Sequence, residues 1–194
     1  MNTTALLRTF IALSAVATFS AVASAQQKKS ANPDQAAQQK KSANPTDQAI
    51  LLGQFGEWGA YKATPGGKKI CFALSKPTTS TTEPAGRNRD AAYAFVSTRP
   101  AEKVKNEVSV IVGYTQKPGQ DATAAVGTTT YAMYTQNDGA WVKNAAEEAQ
   151  MVDTMRKGAD LVVKSESARG TKTTDTYSLK GIAQALDRVA EECK

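Results

Sequence analysis

The chain contains no histidine and only two cysteines, Cys71 and Cys193, among its 194 residues. The first absence removes Ser-His-Asp and Cys-His nucleophile arrangements, histidine general bases and every histidine-containing zinc site. The second removes cysteine-rich metal knuckles. Aromatic residues make up 7% of the chain. Neither S-x-x-K nor G-x-S-x-G occurs beyond the N-terminal leader, so a serine nucleophile would have to be assembled from scattered residues. The carboxylate pairs Glu147-Glu148 and Glu191-Glu192 are adjacent in helical stretches, where neighbours at i, i+1 point apart and make poor acid–base dyads. No metal ligand set, no cofactor motif and no catalytic residue is expected, and the chain reads as a binding protein rather than an enzyme. The alternative is a periplasmic, histidine-independent hydrolase, which a cleft with perturbed carboxylates would favour.

Residues 1–25 have the form of a secretory signal peptide. Arg8 and the terminal amine precede an apolar run from Phe10 to Val22, and Ala23-Ser24-Ala25 gives a small-x-small site with cleavage between Ala25 and Gln26. The run is shorter than the roughly 18–20 apolar residues of a membrane-spanning helix, and no cysteine lies near the cut to take a lipid. The expected location is the periplasm or the outer surface, with no integral membrane segment after cleavage.

Residues 26–49 form a Gln/Lys-rich linker in which QQKKSANP occurs twice, at 26–33 and 38–45. It lacks large apolar residues and is expected to be disordered. A slipped duplication in a tolerant tail and a spacer or electrostatic tether both account for the repeat. The chain carries 24 basic and 18 acidic residues with the signs interspersed. That balance falls short of the clustered basic stripe of nucleic-acid binders.

Residues 50–194 make up the folded unit. Strands are expected at 58–63 and 69–75 around Pro65-Gly66-Gly67, at 93–98, at 107–114 with Val108, Val110, Val112 and Tyr114 on one face, and at 122–126 and 129–135. Asn137-Asp138-Gly139 is a hairpin turn into 140–143, and 161–167 and 172–177 form a further pair. Residues 76–90 read as a long polar loop. Asn144 with Glu147 at N3 starts one helix, which Gly158 ends. Ser178 is expected to cap a second helix, with Tyr177 stapled on Ile182, whose apolar stripe runs Ile182, Leu186, Val189 and Cys193. Many short strands with two helices in the C-terminal third indicate an antiparallel β-sandwich.

In an exported protein with two cysteines, a Cys71–Cys193 disulfide is the default, and no close CxxC supports a redox-active pair. Closing a loop of about 120 residues is worth roughly 5 kcal/mol by loop-closure entropy.

FGEWGAY at 55–61, KKICFALSKP at 68–77, AYAFVSTRPAEKVKNEVSVIVGY at 92–114, the stretch 133–164 around QNDGAWVKNAAEEAQ, and GTKTTDTYSLKGIAQALDRVAEEC at 170–193 together resemble the invasion-associated locus B family of exported Gram-negative proteins. The resemblance implies an immunoglobulin-like sandwich and a role in host-cell invasion or envelope maintenance. It supplies no catalytic or ligand residues. The expected partner is an envelope polymer or protein, or a host surface component.

Two further features bear on binding. Arg87, Arg89, Arg99, Lys103 and Lys105 bracket one strand and form a candidate anionic-ligand patch, provided the loop at 76–90 folds back along the sheet. Asp90, Glu102 and Glu107 lie among them as local neutralisers. Trp58 and Trp141 sit near glycines, as core residues or as platforms that a sugar can approach.

Overall fold

A computed structural model of the chain describes residues 48–194. The expected signal peptide with its Ala25/Gln26 cut and the expected linker at 26–49 lie outside the described residues, except for the last two residues of the latter. No helix among the described residues is long and apolar enough to cross a membrane.

The protein is mainly β, as its alternating segments predict. Among the described residues, eleven strands, β1 (Ile50–Phe55), β2 (Trp58–Ala63), β3 (Ile70–Ser75), β4 (Thr79–Glu83), β5 (Tyr93–Arg99), β6 (Val104–Ile111), β7 (Ala122–Val126), β8 (Thr129–Gln136), β9 (Gly139–Val142), β10 (Asp160–Glu166) and β11 (Lys172–Ser178), are joined by α1 (Ala145–Met155) and α2 (Ile182–Glu192). All pairings are antiparallel, in the order β1-β2-β3-β5-β6-β9-β8-β7-β10-β11-β4.

The sheet turns back on itself so that its inner faces share one core. Trp58, Ala73, Val96, Val108 and Val110 from one half pack in the same cluster as Ala124, Met133, Leu161, Val163 and Tyr177 from the other. The Trp58 indole crosses between the halves and donates its Nε1–H to the Ser178 carbonyl at 2.9 Å. Trp58 is therefore a core residue. Both helices cover open ends of this core: α1 contributes Met151, Val152 and Met155, and α2 contributes Ile182, Ala185, Leu186 and Val189. Cys193, one turn beyond the α2 stripe, is bonded to Cys71 on β3, with 5.9 Å between the Cα atoms. Lys62 and Arg188 pair with Glu192 beside it, at 2.9 and 3.1 Å, and the Lys62 bond holds the Glu192 carboxyl below its usual range.

The Asn144 cap is present, with the Glu147 N–H donated to its Oδ1 at 2.9 Å. Four other expectations are corrected. β1 arises where no strand was read, because it is an edge strand with an irregular register between Leu51 and Gly53 and no clean alternation. The polar loop at 76–90 contains β4, which pairs with β11; its threonine-rich composition is that of an edge strand with little to bury. β6 runs Val104–Ile111 and stops earlier than expected, since Gly113 takes φ 76° and a Cβ there would collide with the Asp90 carbonyl. Ser178 does not cap α2. Gly181 at φ 94° is its first flanking residue, packed so closely on the Phe55 carbonyl that no side chain fits. Ser178 Oγ instead accepts from the Lys180 N–H at 3.3 Å, and Ile182 is the first helical residue rather than a staple partner.

Candidate anion-binding cleft

Where β6 ends, residues 112–116 leave its pairing and tie three loops together. Gly113 accepts from the Asp90 N–H at 3.1 Å, Asp138 from the Val112 N–H at 2.9 Å, Asn137 from the Gln116 N–H at 2.8 Å, and Thr115 from the Ala168 N–H at 3.0 Å. The buried Gln116 amide donates to the Gly139 carbonyl at 2.7 Å and accepts from Ser165 Oγ at 2.5 Å. Much of the polar backbone of this crossing segment, and the whole Gln116 amide, is thus given a partner as it moves between the halves.

Arg89 enters beneath this segment. Its guanidinium donates to both oxygens of Asp175, to the Val112 carbonyl at 2.7 Å and to Ser80 Oγ at 3.1 Å. Ser80 also donates to Asp175 at 2.7 Å. Asp175 is fully buried, and Arg89 keeps 12% of its side-chain surface. The Tyr114 ring lies 5.9 Å from the guanidinium carbon, and its hydroxyl shares a 2.6 Å hydrogen bond with Thr173. The inward positions of β11 are thus Thr173, Asp175 and Tyr177, two polar groups and a phenol on a core-facing stripe. Burial, then the nearby Asp175 charge, pushes the Tyr177 phenol far above its ordinary value, and its hydroxyl has no hydrogen-bond partner among the described residues.

Above this floor lies a cleft of about 720 Å³. Arg87, Asn88 and Asp90 form one wall, Arg169 with the β10–β11 turn forms the other, and Arg89, Tyr114 and Thr173 line the base. The turn is fixed by Ser167 Oγ, which accepts from the N–H groups of Arg169 and Thr171 at 3.3 and 3.0 Å. On the opposite wall the Arg87 N–H donates to Thr82 Oγ1 at 3.2 Å. The side chains of Arg87 and Arg169 are exposed and form no ion pair among the described residues. Two exposed arginines outside any ion pair line one cleft together with a single carboxylate, Asp90, and a lining with that excess of guanidinium groups suits a carboxylate or phosphate.

The five cations singled out from sequence are divided. Arg87 and Arg89 stand at the entry to β5, whereas Arg99 is its last residue and Lys103 and Lys105 lie beyond it, about 20 Å away at 3.3 Å per residue. The loop does not fold back to join them, because β4 draws it to β11. At the far end Arg99 grips both oxygens of Glu107 at 2.8 Å and Glu102 at 2.7 Å, and the Glu107 bonds hold its pKa above the ordinary value. Lys103 occupies a left-handed turn after Pro100–Glu102, and Lys105 is exposed. Arg169, Tyr114 and Asp175 were missed. For Asp175 a signal was present: an acid at an inward position of an alternating strand demands a buried cation.

A carboxylate held above its usual range is Glu148, raised chiefly by burial and opposed by the Val108 N–H it accepts at 2.7 Å. It lies on α1 against β6, away from the cleft. No group of three or more metal-ligating side chains is found among the described residues.

No curated protein and no solved structure matches the chain. The family model described as Invasion associated locus B (IalB) protein matches residues 58–190, a span that begins at the buried Trp58 and ends in α2, and the chain belongs to that family.

Proposed function

We propose that this protein is exported, acts in the cell envelope without catalysis, and binds anionic groups of an envelope polymer or a host surface component in the cleft between Arg87 and Arg169. The observation that carries this reading is that the exposed Arg87 and Arg169, which form no ion pair among the described residues, line one cleft with the hydrogen-bonded Arg89, Tyr114 and Thr173. Arg89 has little left to offer a ligand, since Asp175, Ser80 and Val112 occupy four of its donors. It positions the floor, and Arg87 and Arg169 make the contact.

The test is co-sedimentation of the full chain with envelope fragments over a salt series. Retention is expected to fall steeply as salt rises, because exposed charges are screened over about 8 Å at physiological ionic strength. Arg87→Ala with Arg169→Ala should abolish it, whereas Lys103→Ala with Lys105→Ala should leave it intact. Retention that survives the arginine pair, or that is indifferent to salt, refutes the cleft. Export is tested separately by intact mass, which should place the mature start at Gln26 in the periplasmic fraction.

A further inference from the structure

Among the described residues the sheet ends in β1 on one side and β4 on the other, each with a single neighbour. An edge strand leaves a row of N–H and C=O groups without ladder partners, and what complements that row is another extended polypeptide. The two edges differ. β1 is broken by a register shift between Leu51 and Gly53. β4 is unbroken, with Thr79 to Glu83 pairing in step with Thr176 to Lys172. Outside that pairing, no backbone–backbone hydrogen bond among the described residues reaches 79–83. The sequence of β4, TSTTE, has no lysine, proline or bulge to block an added strand, and Thr79, Ser80 and Thr81 are exposed.

β4 also leads into the arginine cleft. Thr82 is part of the cleft lining, and its Oγ1 accepts from the Arg87 N–H at 3.2 Å. The cleft lies at the Glu83 end of the strand: Glu83 pairs with Lys172, the first residue of β11, and the turn that carries Arg169 comes just before it. The connection from Glu83 to β5 turns inward, since Arg89 reaches Asp175 and Val112 and the Asp90 N–H is bonded to Gly113. It thus crosses the inner face of β4 rather than its free edge.

We infer that β4 accepts an extended peptide as a further strand, running parallel to it, with the peptide's C-terminal carboxylate held by Arg87 and Arg169. The carboxylate half of this inference deepens the proposed cleft and rests on it; the strand addition rests on β4 alone. Charge sets the direction. A parallel peptide ends among the arginines, where each guanidinium fork can take a carboxylate through two hydrogen bonds. An antiparallel one would bring its terminal ammonium to the same place. Arg87, Arg169 and Lys172 outweigh Glu83 and Asp90 there, Arg89 being spent on Asp175. The side chains of β4 are hydroxyls on both faces, with Ser80 and Thr82 inward opposite Asp175 and Thr173, and Thr79 and Thr81 outward. Backbone and terminus, rather than side-chain pockets, therefore select the peptide.

The test is fluorescence anisotropy of the full chain with a dye-labelled heptapeptide of alternating threonine and valine. It is made in four forms: free C-terminal acid, C-terminal amide, and free acids N-methylated at the odd or at the even positions. The free acid should bind, and the amide about tenfold or more weakly, as loss of charge-assisted hydrogen bonds requires. Only alternate N–H groups of an added strand face the sheet, so one methylated set should abolish binding and the other leave it within about twofold. Arg87→Ala with Arg169→Ala should bring the free acid down to the affinity of the amide. Hydrogen exchange should slow at residues 79–83 on binding and stay unchanged in β1.

An acid preferred through the arginines, with both methylated sets binding alike, overturns strand addition and leaves the cleft. Methylated sets that differ, with acid and amide bound equally, support strand addition and overturn the carboxylate half together with the cleft as its holder. Binding by none of the four forms, while co-sedimentation with envelope fragments still depends on Arg87 and Arg169, overturns the inference and assigns the cleft to an anion that is not a peptide. Slowed exchange confined to β1 overturns it as well.

Discussion

Replacing Arg89 with methionine isolates the energetics of the cleft floor. The substitution keeps much of the side-chain volume but strands Asp175, which is fully buried and in this structure accepts two bonds from the guanidinium and one from Ser80. Breaking a buried pair from one side costs about 3–5 kcal/mol, because a charge without a partner remains in a medium that solvates it poorly. Val112 also loses its 2.7 Å donor, adding about 1 kcal/mol. A loss of about 4–6 kcal/mol is a large part of the 5–15 kcal/mol that holds a domain folded. Arg89→Met with Asp175→Leu removes both charges and should recover most of it, since apolar replacements of whole buried pairs are often neutral. Urea titrations followed by far-UV circular dichroism measure both. A single substitution costing under about 1 kcal/mol, or a double one costing as much as the single, would refute the account of Arg89 as the partner that makes a buried Asp175 tolerable.

Cys71→Ser with Cys193→Ser should lower stability by about 2–5 kcal/mol in the same assay, and native protein should show no free thiol after denaturation. Gly181→Ala should destabilise by more than about 1 kcal/mol, read as a drop in melting temperature, because φ 94° and the Phe55 carbonyl both exclude a side chain. Glu148 has a folded pKa above its unfolded one, so the folded state binds more protons and stability falls as pH rises from the ordinary carboxylate range through the raised value. Glu148→Gln, which retains an acceptor for Val108, should flatten that slope in urea titrations across acid to neutral pH and match or exceed the parent at pH 7.

What could be read in the sequence was what a strand or helix states locally. Val108 and Val110 alternate towards the core, Asn137-Asp138-Gly139 turns, Asn144 caps, and the α2 stripe brings Cys193 to Cys71. The remainder depends on partners distant in the chain. β4 is polar because it is an edge, and only β11, nearly a hundred residues on, makes it a strand. Gly181 is set by Phe55 rather than by any signal near Ser178. Arg87 and Arg89 were visible as cations, but their mate Arg169 comes from a hairpin that reaches the cleft through Thr115 and Ala168. Arg99 was visible too, yet Glu102 and Glu107 within eight residues already claim it.

The construction of the cleft also bears on how it would bind. Its walls are loops, which ordinarily lose conformational freedom when a ligand orders them, at about 0.5–1.5 kcal/mol for each side chain immobilised. Here the loop backbones are fixed in advance: Asp90 to Gly113, Ala168 to Thr115, Ser167 across its own turn and Arg87 to Thr82. What remains to be ordered is exposed side chains, chiefly those of Arg87 and Arg169. The buried Arg89–Asp175 pair fits this pattern. An apolar pair would hold the core as well, but it would not place a guanidinium under Tyr114 or hold Val112 at the base of the crossing segment. The stability assays on Arg89 and Asp175 and the binding assays on Arg87 and Arg169 therefore probe different things. The doubly apolar floor should fold normally, and any affinity it loses measures how far a preset floor assists two mobile arginines.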